Sequence, residues 1–307
     1  MENTFLITKC MLIPSEGSSL QEEYDIVAGN PIIDYYESVE SPSISMTISF
    51  IDVDQVIGRK GITGGEYIDL IVKVDDEGAN DFKVMHDKQK MILNSVRNMI
   101  TESNKQVATL EFVSVETLVN ETARLNKKYT GNISDIVVEL LVADTKGIQT
   151  AKTLFGPKKE SIGETNVEED RATNSYSFVG NLKRPFDTIQ WLCPKGQSAN
   201  DDFGFLFYET LDGYHFRSIK SLLEQDAITY QQTDAQGIAN KILQNNLNQT
   251  NDIGMNMRMG MYANRTIYVD IENQTLETID FKADEIKTKK KAALPANIQN
   301  YPTRLMV

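Results

Sequence analysis

The chain has few of the residues that catalytic and redox sites most often use. Its 307 residues include only two cysteines and two histidines. Cys10 and Cys193 are far apart and neither belongs to a CxxC pair, so the sequence has no disulfide framework and favours a reducing compartment. His86 and His215 form no HExxH motif and have no second ligand at metal spacing. The sequence therefore predicts neither a metal site nor a cofactor.

Nucleophile motifs are also missing. The sequence has no G-x-S-x-G elbow, and neither cysteine lies in a recognisable nucleophile motif. Carboxylates are numerous, but the acidic runs at 22–23, 75–77 and 168–170 lie in polar stretches, where solvated patches are the simpler interpretation. We therefore predict a protein that is not an enzyme and has no catalytic residues. A cell-wall glycan hydrolase that uses paired carboxylates stays open as an alternative.

Long apolar runs are absent. No segment approaches the roughly 20 apolar residues that a membrane-spanning helix needs. The N-terminus, MENTFLITKCMLIP, has an acidic residue at once and only a short apolar run, so it predicts neither a signal peptide nor a membrane anchor. We expect no membrane insertion.

Positive charge is scarce relative to negative charge. The chain has 31 Lys and Arg against 44 Asp and Glu, a net charge of −13. Stable, sequence-specific binding to duplex nucleic acid needs a basic surface, so this composition argues against it. The hydrophobic content of 40% supports real cores, and the length allows two or three domains.

The first 113 residues are dominated by strand patterns. Residues 5–13 and 67–74 are apolar runs of strand length, and residues 43–50 alternate strictly between apolar and polar side chains. Further extended segments are expected near 82–94 and 107–113. Together they predict a small antiparallel barrel or sandwich. The segment GRKGITGGEY (58–67) lacks the Gly-Lys-Ser/Thr ending of a phosphate loop and predicts tight β-turns.

Residues 114–223 change to a mixed pattern. Helical spacing is seen at 114–128 and 133–143, and an exposed loop or arm is expected at 145–171. A third helix follows, with Pro185 in its first turn and Ile189 and Leu192 on one face. The segment then predicts a β-hairpin, in which Phe203, Phe205 and Phe207 share one face, an Asp-Gly turn lies at 212–213, and a second strand runs over 214–218.

Strand patterns return after residue 223. We expect a strand at 227–231, a strand at 255–262 with alternating methionines, and a hairpin made by 266–271 and 276–281. The methionine face suits either a core or an adaptable contact surface, and the basic run suits either a solvated tail or a patch for an acidic neighbour. The candidate interface residues are Met255, Met257, Met259, Met261, Lys287, Lys289, Lys290 and Lys291.

The predicted fold is therefore mixed α+β and β-rich, with two small antiparallel β-barrel domains flanking an α/β module. The predicted domains are a first β-barrel at 1–113, a mixed α/β domain at 114–223, and a second β-barrel with an extended C-terminal arm at 224–307.

One stretch of the mixed region resembles a known family. RPFDTIQWLCPKG followed by FGFLFYETLDGYHFRSIKSLL (184–196 and 203–223) resembles the baseplate hub proteins of contractile-tailed bacteriophages, and the chain is also similar to the hub part of type VI secretion spike proteins. What matches is the order of the elements along the chain. A helix that starts with Arg-Pro is followed by a Phe-rich strand ending in Tyr208-Glu209, an Asp-Gly turn and a strand holding 216–219. The strands at 44–50 and 67–74 agree with the hub's first barrel.

The resemblance implies a structural virion protein. Such hubs are homotrimers with two barrels per chain, whose pseudo-sixfold ring adapts a hexameric tail tube to a trimeric spike and lets DNA pass through its lumen. It further implies contacts with the tail tube protein, the tail spike protein and other baseplate proteins, assembly in the host cytoplasm, and a place in the tail baseplate of the virion. An acidic wall would keep DNA in transit from adhering. A carbohydrate- or protein-binding module of a tail, with the aromatic hairpin as its contact surface, is the other alternative.

Overall fold

The computed structural model describes residues 5–62, 64–74, 81–102, 105–156, 171–198, 204–226, 252–260, 262–282 and 304–306. The chain divides into two compact units. The first unit is Met1–Ala227 and the second is Ile228–Val307.

The largest feature of the first unit is an eight-stranded sheet. All of its pairings are antiparallel, in the order β2-β1-β5-β7-β8-β4-β3, and β6 pairs with β5. Its strands are β1 (Phe5–Ile13), β2 (Tyr24–Asp25), β3 (Ile32–Tyr36), β4 (Ser45–Asp52), β5 (Tyr67–Val74), β6 (Phe82–Val84), β7 (Met91–Glu102) and β8 (Lys105–Ser114). A 3₁₀ turn lies between β2 and β3, at Val27–Gly29.

The alternation of β4 explains why this sheet has a core on one face. Met46, Ile48 and Phe50 are buried, whereas the residues between them are half-buried or exposed. They join a cluster that includes Leu70 and Phe112 from neighbouring strands. The strands expected at 5–13, 43–50 and 67–74 are therefore confirmed.

One turn prediction in this region is wrong at its start. In the segment expected to form tight β-turns (58–67), residues 58–60 are the end of a short helix, α1 (Val56–Lys60). The buried Asp52 carboxylate accepts a hydrogen bond of 2.8 Å from the backbone N–H of Ile57, which satisfies an otherwise orphaned donor of the first turn. Gly61, with φ of 64°, ends the helix in a left-handed conformation.

The rest of the first unit is an α/β module built on two small sheets. One sheet has the order β10-β13-β12, and the other pairs β11 with β9. Its elements are α2 (Val115–Thr122), β9 (Lys128–Asn132), α3 (Ile133–Val138) with a π-helical turn at Glu139–Ala143, β10 (Thr153–Phe155), β11 (Ser175–Val179), α4 (Pro185–Leu192) with a 3₁₀ turn at Cys193–Lys195, β12 (Phe205–Thr210), β13 (Gly213–Ser218) and α5 (Ile219–Leu223).

The predicted aromatic hairpin supplies the core of this module. Phe205, Phe207 and Phe216 are all buried, and the rings of Phe205 and Phe216 stack with centroids 4.8 Å apart. Pro185 occupies the start of α4 as expected. Trp191 packs against the core but is only partly buried, and the side chains of Lys183 and Lys195 lie over its ring. Phe203 lies outside the described residues.

Within the loop expected at 145–171, the described residues before 157 include regular structure. Ile148 and Leu154 are buried in the module core. Residues 153–155 form β10, which pairs in parallel with β13, so Thr153 lies opposite Gly213. Three residues are too few for a periodic signal, and the pairing partner is remote in sequence. Residues 157–170 lie outside the described part of the chain.

The second unit contains one helix and one three-stranded sheet in its described part. These elements are α6 (Ile253–Arg258), β14 (Ala263–Asp270), β15 (Thr275–Lys282) and β16 (Arg304–Met306), in the sheet order β15-β14-β16. The hairpin expected at 266–271 and 276–281 is confirmed with longer strands. The strand expected at 227–231 lies outside the described residues.

The methionine strand expected at 255–262 is wrong for most of its length. Residues 253–258 form α6, because the Asp252 carboxylate caps the helix by accepting a hydrogen bond of 2.8 Å from the N–H of Met255. Met, Asn and Arg alternate here without β-branched residues, so the alternation does not favour a strand strongly.

The β-rich, mixed character of the fold is confirmed, but the barrels are not. Among the described residues the four sheets are open, and none closes into a barrel. The division at residues 113 and 223 into three domains stays a prediction.

Candidate functional site

Both cysteines are unsuited to nucleophilic chemistry. Cys10 and Cys193 are buried free thiols. Burial, with a further contribution from Asp25, raises the pKa of Cys10 to about 12. Burial also raises the pKa of Cys193 to about 12. Because the thiolate is the reactive form, neither side chain is activated near neutral pH.

The two histidines serve structural contacts. His86 Nδ1 lies 2.8 Å from the buried Asp69 carboxylate, which also bonds the ammonium of Lys9 at 2.7 Å. His215 lies between two parallel rings, those of Phe155 and Tyr208, with centroids 4.5 and 4.8 Å away. Within the described residues no group of three or more His, Cys, Asp or Glu side chains could hold a metal ion.

A buried cluster of three charges lies in the first unit. Lys152 Nζ contacts Glu209 Oε1 at 2.5 Å and Glu116 Oε2 at 2.8 Å. Thr150 donates a hydrogen bond of 2.7 Å to the other oxygen of Glu116. Burial raises the pKa of Glu209, against the opposing effect of Lys152. The cluster lies beside a cleft of about 490 Å³, lined by Glu116, Lys152 and the tip of the aromatic hairpin.

This cluster joins the α/β module to the first sheet. The second oxygen of Glu209 accepts a hydrogen bond of 3.1 Å from the N–H of Ile44, at the start of β4. Nearby, Glu37 accepts a bond of 2.8 Å from the N–H of Leu211 in the hairpin turn. The charges are thus occupied by structural partners, and the arrangement fixes the hairpin against the sheet.

An apolar patch lies on the outer face of the first sheet, at one corner. Ile51 lies opposite Val107, and Val107 lies opposite Ile100 on the next strand. Ile32 of β3 lies opposite Ser49, one row away on the same face. We call Ile32, Ile51, Ile100 and Val107 the corner patch. Ile32 is 68% exposed and Ile100 is 59% exposed, so these aliphatic side chains face solvent.

A second apolar surface lies on the β14–β15 hairpin. Leu276 is 68% exposed and Ile271 at the turn is 84% exposed. Tyr268, Val269 and Ile279 are also exposed. Gly260, Tyr262 and Ala263 are the buried residues in the described part of the second unit, and neither hydrophobic core includes a residue from it. Exposed apolar side chains grouped in this way mark a surface suited to contact with another surface.

The structure places part of the predicted interface set. Met255 and Met259 are exposed, and Met257 is half-buried. The others, Met261, Lys287, Lys289, Lys290 and Lys291, lie outside the described residues. The corner patch was not among the predicted residues, although Ile51 breaks the polar series Ser45, Thr47, Ser49 on its face of β4 and was a usable signal.

No family model matches the chain, and no curated protein matches it. Solved structures do match. A tail protein from Neisseria meningitidis has 12% identity and a TM-score of 0.39, with 69% of this chain and 51% of that chain covered. A prophage tail protein from Listeria monocytogenes has 6% identity and a TM-score of 0.47, with 97% of this chain and 72% of that chain covered. A type VI secretion component from E. coli has 13% identity and a TM-score of 0.38, with 71% of this chain and 50% of that chain covered.

These are phage tail and type VI secretion proteins, the two classes that the sequence resembles. The chain spans about half the length of the Neisseria and E. coli proteins that it matches. At these TM-scores the likeness assigns no residue roles. In the described part of the chain, no helix combines the length and apolar character needed to cross a membrane.

Proposed function

We propose that this chain is a structural protein of a phage-type tail, a homotrimeric hub that adapts a hexameric tail tube to a trimeric spike. The observation that carries the proposal is the apolar hairpin of the second unit. Leu276 and Ile271 are exposed there, and among the described residues neither hydrophobic core includes a residue of this unit. A surface of this kind indicates a protein completed by association.

The sequence supports the same function. The resemblance carried by residues 184–196 and 203–223 is to tail hubs, and residues 205, 207 and 216 of that stretch form the module core rather than a contact surface. Because these aromatic rings are buried, the alternative of a carbohydrate-binding hairpin loses its contact residues. The buried thiols and the structurally paired carboxylates give no support to the hydrolase alternative.

The net charge of −13 suits a lumen through which DNA passes. Like charge disfavours adhesion of the phosphate backbone to a protein wall. In this role the partners are the tail tube, the spike and other baseplate proteins, DNA is a transient passenger, and the protein is located in the tail of the virion.

The test is the solution mass of the full chain. Light scattering over a concentration series is expected to approach three chains, about 104 kDa from 34.6 kDa each. Averaged electron micrographs of that species are expected to show a three-fold ring with an open centre. A chain that stays monomeric at every concentration, or a closed dimer without a central opening, contradicts the proposal.

A further inference from the structure

The β14–β15 hairpin has two faces of different character. One face holds Ile267, Val269 and Leu276, and Val269 lies directly opposite Leu276. Its charged pair, Arg265 and Asp280, is joined by two hydrogen bonds of 2.6 and 2.7 Å. Fully paired charges are cheaper to cover than single ones, so this face is suited to burial. We call Ile267, Val269 and Leu276 the hairpin face.

The opposite side of the hairpin also holds exposed apolar side chains, Tyr268 and Ile279, but a carboxylate lies among them. Tyr268 lies opposite Glu277 there, and Asp270 lies opposite Thr275. Glu277 is exposed, and burying it would leave a carboxylate to be desolvated. The difference between the two sides selects the hairpin face as the side that a partner covers.

The corner patch of the first unit has the anatomy of a protein contact site. Its aliphatic side chains are adjacent across four strands, and the polar side chains of Ser49, Thr109 and Arg97 lie in the row next to Ile51, Val107 and Ile100. Ser49 and Thr109 are hydrogen-bonded to each other at 2.9 Å. An apolar centre with a satisfied polar border is the usual arrangement of a protein–protein interface.

Charge indicates which parts of two copies can meet. Residues 228–307 hold nine basic and eight acidic residues, a net charge of +1. Residues 1–227 hold the remaining 22 basic and 36 acidic residues, a net charge of −14. Two first units therefore repel each other, whereas a first unit and a second unit do not.

We propose that the hairpin face of one copy docks on the corner patch of a second copy of this chain. The contact joins two different surfaces, so repetition of it closes a ring when the rotation permits, as a trimer requires. This inference rests on the self-association in the proposed function and assigns it to two surfaces.

Cysteine pairing tests this contact directly. Chains carrying only Ile51→Cys are mixed with chains carrying only Leu276→Cys and treated with a short bismaleimide. The native thiols are buried, so the introduced thiols react preferentially. A linked pair of chains is expected in the mixture, and each variant alone is expected to give much less of it. Absence of the mixed product overturns the inference.

Two matched pairs of substitutions give a second readout. Leu276→Asp is expected to weaken association at least tenfold, whereas Ile279→Asp, on the opposite side of the hairpin, leaves it within about twofold. Ile100→Asp is likewise expected to weaken association, with Tyr36→Asp, elsewhere on the outer face, as its control. Circular dichroism verifies that each variant is folded.

The possible failures are distinguishable. A wild-type chain that stays monomeric overturns both the proposed function and this inference. A trimer that all four variants leave intact overturns only the docking surfaces. A double variant, Ile51→Cys with Leu276→Cys, that links within one monomer shows that the hairpin covers its own chain, and this also overturns the inference.

Discussion

Glu209 shows how one side chain can fix two layers of a unit. It is fully buried, contacts Lys152 and accepts a hydrogen bond from the backbone of Ile44. Replacing one member of a buried ion pair removes compensating charge from its partner, and the loss exceeds what the intact pair contributes.

We expect Glu209→Gln to lower the free energy of unfolding by about 3–5 kcal/mol. The amide keeps the size of the side chain but leaves Lys152 with Glu116 alone. Glu121→Gln is the control, since Glu121 forms an exposed pair with Arg184 and is expected to cost at most about 1 kcal/mol. Urea denaturation of both variants measures the difference, and equal costs would contradict the buried role.

We expect Asp69 to make the free energy of unfolding depend on pH in the acid range. Burial alone would raise its pKa, but hydrogen bonds from Lys9 and His86 hold the pKa of Asp69 below its ordinary 3.8. A carboxyl whose folded pKa is lowered stabilises the fold fully above its unfolded pKa. That contribution is lost as the pH falls from 3.8 through the folded pKa.

The measurement is the unfolding free energy of wild type and Asp69→Asn between pH 6 and about pH 2. The unfolding free energies of the two proteins are expected to differ most near pH 6 and to converge below pH 3.8. A gap that stays constant across this range would show that Asp69 contributes through packing rather than through its charge.

At the scale of elements, the hairpin β12–β13 depends on a glycine. Gly213 has φ of 145°, and a Cβ there would lie 2.2 Å from the carbonyl oxygen of Thr153 on the parallel strand β10. The close approach of the two backbones therefore excludes any side chain at this position.

We expect Gly213→Ala to cost about 3 kcal/mol or more of unfolding free energy, because it adds a backbone clash to the strain of positive φ. Gly61→Ala is the matched control, since Gly61 also has positive φ but a Cβ there would meet no atom within 4 Å. The control is expected to cost about 1 kcal/mol. Thermal unfolding of both variants measures the difference.

The same elements show which parts of the fold can be predicted from the sequence. Strict alternation located β4, and Pro185 with its apolar face located α4, because those signals are local. The strand β10 and the Lys152–Glu209 pair depend on partners 57 or more residues away, and no local pattern encodes such pairing. The methionine series failed because a single cap at Asp252 decided between two weak preferences.

The two candidate surfaces also differ in how much of each can be predicted from the sequence. The hairpin was predicted as an element, but the exposure of its side chains depends on tertiary packing, which single-sequence patterns do not report. The corner patch depends on register across β4, β8 and β7. Only Ile51 carried a local sign of it, as an aliphatic residue on a polar face.

At the scale of the whole molecule, net charge opposes self-association. Each copy has a net charge of −13, so copies repel one another as they approach. Dissolved salt screens this repulsion. We expect the association constant to rise when sodium chloride increases from about 20 mM to about 300 mM, where the Debye length falls below 10 Å. Sedimentation velocity measures this. A fall in association with salt would indicate an interface held by ion pairs instead of apolar contact.

The bond between Glu209 and Ile44 also has a consequence for synthesis on the ribosome. The first sheet is complete once Ser114 has been made, but the carboxylate that receives the N–H of Ile44 is made 95 residues later, and the two partners are 165 residues apart. At about 5–20 residues per second, the finished sheet waits about 5–20 s for the segment that secures it. During that interval the N–H of Ile44 lacks its Glu209 partner, and this part of the sheet is open to chaperones and to neighbouring nascent chains.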